Sequence, residues 1–149
     1  MIITTHLLFG ASIGNIIQNP FLAIFLAFLG HYLLDAIPHN EYSIKNIAQK
    51  NWRKSFPDFL KVFLDFLVGI FLIYILSEKT FIIFVSAFFG ALPDTFSFLT
   101  LLIKNKFLEK HKIFHQEKIH FLKYKKISFF WRLLSQILIV VLSIFLLTY

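Results

Sequence analysis

The chain has 149 residues, enough for one domain, but 58% of them are apolar and only 15% charged, with a mean hydropathy of +0.74; soluble domains run at about 45–50% and 25%. With 21 phenylalanines and so short a chain, that apolar surface cannot be hidden inside a soluble core, so the composition places the protein in a bilayer as a single integral membrane domain, 1–149. The net charge of +7 lies in loops between apolar runs, which argues for the positive-inside rule and against a nucleic-acid surface, and the absence of cysteine excludes disulfides and thiolate metal sites.

Residues 2–17 form the first apolar run, and no basic region or small-residue cleavage site marks it as a removable signal peptide. Gly10 and Gly14 make a G-xxx-G pair, which permits close helix contact in lipid. The run is short for a span of about 20 residues, so it crosses a thin region or re-enters. His6 lies near its start, after Thr4 and Thr5, either of which suits a helix cap.

After a turn at Gln18-Asn19-Pro20, residues 21–38 predict a second helix ended by Pro38. Its last part carries His31, Asp35 and His39, each four residues from the next and therefore on one helical stripe. An apolar helix does not need them to fold, and polar groups at membrane depth are costly, which marks the stripe as functional. Residues 40–58 are polar and basic, an interfacial segment with Trp52 at headgroup level.

Residues 59–76 predict a third span with one charge, Asp65, and Ser77 to Thr80 a tight turn. The fourth span, 81–103, is expected to break at Gly90-Ala91-Leu92-Pro93-Asp94. The basic stretch 104–129, with His111, His115 and His120, reads as an amphipathic helix on the membrane surface. Residues 130–148 form the last span, with Trp131 and Arg132 at its mouth. The fold expected is thus an all-α bundle of about five membrane segments.

Of 15 Lys and Arg residues, 14 lie in 43–61 and 104–132. Both stretches are cytoplasmic if the N-terminus is inside and the C-terminus outside. The same topology brings His6, His31, Asp35, His39, Asp65, Asp94 and the three later histidines to one depth. We therefore expect His6, His31, Asp35, Asp65 and Asp94 to be ligands of a divalent metal. His39, His115 and His120 are the acid–base candidates, and His111 matters less. Imidazole and carboxylate donors without thiolate suit zinc first, with manganese, iron or nickel as alternatives. So many donors exceed one four-coordinate ion and suit either two ions or one ion with further residues that orient its ligands from behind.

Thr5-His6-xxx-Gly10, followed by an apolar helix ending Gly30-His31-xxx-Asp35-xx-Pro38-His39, resembles the small membrane-bound metal-dependent hydrolases. The likeness covers about the first 40 residues, more loosely Gly90 to Asp94, and 111–120. The His-xxx-Asp-xx-Pro-His arrangement is also similar to a motif of zinc-dependent phospholipase C and the single-strand-specific zinc nucleases. There the matching positions bind metal, which implies that role for His31 and Asp35 and leaves His39 as a further candidate. The amino-terminal Trp ligand of those soluble enzymes has no counterpart in Met1-Ile2.

The function expected is hydrolysis of a phosphoester at the cytoplasmic face of the cell membrane. The basic loops attract the anionic substrate, and a membrane lipid is a natural carrier for it. A transporter would run an ion path through Asp65, Asp94 and the broken span, but needs polar groups across the bilayer. A purely structural membrane protein would bind no metal.

Overall fold

A computed structural model describes residues 1–122, 125 and 127–149. Its order is α1 (Ile3–Ile16), α2 (Pro20–Ala36), a single turn α3 (Lys45–Ala48), a 3-10 turn (Trp52–Lys54), α4 (Phe56–Leu76), α5 (Phe81–Leu99), α6 (Lys106–Ile113) and α7 (Phe129–Thr148). A π-helical turn, Phe114–Ile119, continues α6. The described residues are an all-helical bundle. Three of the helices, α4, α5 and α7, are long and apolar enough to cross a membrane; α2 is apolar over 17 residues, and α1 has 14.

Local chemistry sets the boundaries. Asn19 accepts from the Leu22 amide and Pro20 opens α2, where a missing N–H costs nothing. The helix stops before Pro38. Asn105 caps α6 and Ser128 caps α7 in the same way. Asp58, in the first turn of α4, accepts from the Asn46 and Ile47 amides at 2.8 and 3.4 Å and pins α3 to that helix.

The short α1 is the centre of the bundle. Helices α2, α4, α5 and α7 all pack on it, and nine of its 14 residues are buried. Its length therefore follows from its place: a helix wrapped by others has no bilayer to match. Small residues bring α5 close. A Cβ on Gly90 would lie 2.7 Å from the His6 carbonyl oxygen, and one on Gly14 would meet the Ser86 side chain at 2.9 Å. At the far end, the Asn15 amide donates to the Leu146 and Leu147 carbonyls of α7. Leu7, Leu8, Ala11, Ile73, Ile83, Ala87 and Leu147 form the apolar core. The outer faces of α4 and α7 expose Leu64, Phe71, Leu138 and Val141, as a lipid-facing surface should.

Two expectations need correction. The fourth span does not break: α5 runs continuously from Phe81 to Leu99, with Pro93 inside it. Pro93 is buried and Gly90 is seated on α1, so tight packing on two neighbours holds the helix past the missing hydrogen bond. The segment after it is not a single surface helix either. Helix α6 and its π-helical turn pack against α5 and α2, and they bury His115. Lys123, Tyr124 and Lys126, in the same basic stretch, lie outside the described residues.

Candidate metal centre

One end of the bundle gathers the N-terminus of α1, the C-termini of α2 and α5, and the turn after α6. Asp35, in the last turn of α2, is its hub. The Asp35 Oδ2 atom lies 2.8 Å from His115 Nε2, 3.0 Å from His31 Nε2 and 3.2 Å from His120 Nε2. Its Oδ1 lies 3.0 Å from the Met1 amino nitrogen, 3.2 Å from His6 Nε2 and 3.8 Å from His39 Nε2. Asp94 adds a second carboxylate, 3.8 Å from both His6 Nε2 and His31 Nε2.

Hydrogen bonds behind the rings decide what they present. His31 Nδ1 is 2.8 Å from the Gly90 carbonyl, and His39 Nδ1 is 2.7 Å from the Ile37 carbonyl. A carbonyl only accepts, so Nδ1 carries the proton in both. In the neutral imidazole the Nε2 lone pair then faces the carboxylate. His115 Nδ1 lies 3.2 Å from the Ser97 hydroxyl, and its Nε2 is 3.2 Å from that of His31.

These distances leave too few protons for hydrogen bonding alone. A carboxylate oxygen accepts roughly two hydrogen bonds, yet three imidazole nitrogens crowd Oδ2. Between His31 Nε2 and His115 Nε2 one proton at most can lie. Charging every ring would bury several imidazolium ions around one buried carboxylate, which is costly. Opposing lone pairs are stable when they share a cation.

His6 sharpens the case. It is fully buried, and neither ring nitrogen has a hydrogen-bond partner, although Nε2 is near Asp35. Leaving such a group unsatisfied costs about 1–3 kcal/mol. A ligated imidazole needs no such partner on its lone-pair nitrogen.

The donors form two groups, each with its ligand atoms within 4.8 Å of one another: His6, His31, Asp35 and Asp94, and Asp35, His39 and His120. A tetrahedral ion with bonds of about 2.0–2.2 Å spaces its ligands about 3.3–3.6 Å apart. The observed spacings bracket that range, so this buried group could hold a metal ion. Asp35 belongs to both groups, one oxygen turned toward each side. Glu41 stands beside the second, its Oε1 3.2 Å from His39 Nε2 and 3.4 Å from His120 Nδ1.

The structure brings together seven of the eight residues singled out from the sequence: His6, His31, Asp35, Asp94, His39, His115 and His120. Asp65 is the exception, and its expected place as a ligand is corrected. Its carboxylate accepts from the Ile3 amide (2.6 Å), the Thr4 amide (3.3 Å), the Thr4 hydroxyl (2.6 Å) and the Tyr42 hydroxyl (3.2 Å). Asp65 thus caps α1 from a neighbouring helix, satisfying amides that a helix start leaves unpaired. Burial, with Asp65 next, raises the pKa of Tyr42 and keeps it a donor.

His111 sits at the edge, 2.9 Å from the Tyr32 hydroxyl. Partial burial, and next the neighbouring His115, lower its pKa. Sequence reasoning missed Glu41, although it follows His39 by two residues in a turn that folds back over the stripe. The cluster opens toward the loops through a pocket of about 240 Å³ beside His39, Glu41 and Arg132.

No family model, curated protein or solved structure matches this chain. Its functional reading therefore rests on the geometry of the cluster.

Proposed function

We propose that the protein is a membrane-embedded, divalent-metal-dependent hydrolase of phosphoesters, acting at the cytoplasmic face. The observation that carries this reading is the shell of Asp35: five imidazoles and a second carboxylate converge on one buried carboxylate, and the His6 nitrogens lack any other partner. His6, His31, Asp35 and Asp94 would hold one ion, and Asp35, His39 and His120 a second, with Glu41 at hand. The donor set of nitrogen and oxygen without sulfur favours zinc, with manganese, iron or nickel next.

A divalent ion at such a site supplies Lewis acidity toward a phosphoryl oxygen and lowers the pKa of water. The chain's own residues do the rest. The Gly90 and Ile37 carbonyls fix the tautomers of His31 and His39. His115, held near Ser97, is placed to pass a proton at Nε2 beside Asp35. Lysines of the loops draw a phosphate toward the opening at Arg132.

A metal-transport reading is weaker. On the far side of the cluster and Asp65, residues 7–16, 20–30, 66–76, 81–93 and 133–148 of the apolar helices hold no Asp, Glu, Lys, Arg or His, so a path across the bilayer has no relay. The cytoplasmic assignment follows the basic loops.

The test is turnover of p-nitrophenyl phosphate and bis-p-nitrophenyl phosphate by detergent-purified protein. We expect activity that chelation abolishes and zinc or manganese restores. Protein that holds metal but hydrolyses neither ester would contradict the hydrolase reading.

A further inference from the structure

A second opening leads from the cluster in another direction. It is a cleft of about 560 Å³, within the range of about 300–1,000 Å³ typical of ligand sites. Val62, Phe63 and Phe66 of α4 form one wall, Phe88 and Thr95 of α5 the other, and Leu7 of α1 the floor. Both α4 and α5 rest on α1, and the cleft is the space between them.

The two ends of the cleft differ in chemistry. Toward the loops it reaches Asp94, His115 and His120 of the cluster, with Lys112 beside them. Away from the loops it is aromatic and aliphatic. Phe88 lies six residues before Asp94, roughly 9 Å deeper along α5. Phe63 and Phe88 are 56% and 53% exposed, so the cleft opens sideways between two candidate spans. At the loop end the rings of Phe59 and Phe98 meet edge to face, 6.0 Å apart, and narrow the way from water.

We propose that this cleft is a lateral entry groove for a phosphate-bearing membrane lipid, and so that the hydrolase acts on lipid phosphoesters. The head group would lie at the His/Asp cluster and Lys112, and one hydrocarbon chain between α4 and α5. This rests on the hydrolase reading above. An apolar cleft open to the bilayer takes hydrocarbon more readily than water. The lysine and the metal-binding end select among lipids for those that carry a phosphate. A water-soluble ester would use only the polar end and leave the groove without a task.

The experiment uses the full chain in nanodiscs, with a phosphatidic acid that carries a diazirine in one acyl chain. Cross-linked peptides are mapped by mass spectrometry. We expect labels concentrated on the facing sides of α4 and α5, competed by unlabelled phosphatidic acid but by neither diacylglycerol nor inorganic phosphate. Thr95→Trp, at an exposed position in the groove, should cut this labelling roughly tenfold; Val62→Phe, from the opposite wall, should do the same. Labels spread equally over the outer face of α7, competition by diacylglycerol as strong as by phosphatidic acid, or insensitivity to both variants would overturn the groove. Labelling requires no turnover. Selective labelling of a protein inactive on every ester would uphold the lipid groove and remove the hydrolase reading.

Discussion

Asp35 and Asp65 are two aspartates near the same end of one small helical bundle, and their surroundings differ in kind. Asp65 meets backbone amides and hydroxyls, four donors that hold its carboxylate against the start of α1. Asp35 meets five imidazoles and an amine. Amides and alcohols have only a proton to give, so the Asp65 shell is complete and structural. An imidazole offers a lone pair as readily as a proton, so the Asp35 shell could hold a metal ion. Which groups face a buried carboxylate, more than its burial, separates a cap from a metal site.

The largest effect that sharpens this contrast is at Asp35. Asp35→Ala should remove nearly all bound metal, because both donor groups share this residue; metal analysis of the purified variant checks it. Next is Gly90→Ala. The added methyl would press on the His6 carbonyl and move both the acceptor of His31 and Asp94. Disturbing such supporting contacts weakens metal binding about 10–100-fold, measurable by competition with a chelator. Asp65→Asn should do the reverse of Asp35→Ala. Metal content stays, while thermal unfolding in detergent shows a loss of about 1–3 kcal/mol from unpaired donors at the α1 N-terminus. Loss of metal in that variant with unchanged stability would erase the contrast. His111→Ala should change least, since His111 bonds the Tyr32 hydroxyl at the edge of the cluster and does not reach Asp35; metal content measures that too.

The contrast also shows how far the sequence was legible. Apolar runs separated by basic loops gave the all-helical bundle and the order of its segments. The four-residue spacing of His31, Asp35 and His39 gave the stripe, and the charge pattern gave a common depth for the other groups. Asp65 does lie near the same end of the bundle, at the start of α1. What hydropathy does not encode is the rotation of a helix about its axis, which turns Asp65 toward α1 while Asp94 turns toward His6. Pro93 misled for a related reason: its local cost is real, but the packing around Gly90 that offsets it is tertiary. The same holds for the stretch around His115, expected as a helix on the membrane surface, which instead folds against α5 and α2 and buries that ring. Glu41 was hidden in a loop whose backbone path no periodicity describes.

The most direct test of the central claim is the metal content of detergent-purified wild-type, Asp35→Ala and Asp65→Asn proteins, measured side by side by inductively coupled plasma mass spectrometry. The account predicts between about one and two divalent ions per wild-type chain, nearly none in Asp35→Ala and the wild-type amount in Asp65→Asn. A wild-type protein that remains metal-free after incubation with zinc, manganese, iron and nickel, or an Asp35→Ala protein that keeps its full metal content, would contradict it.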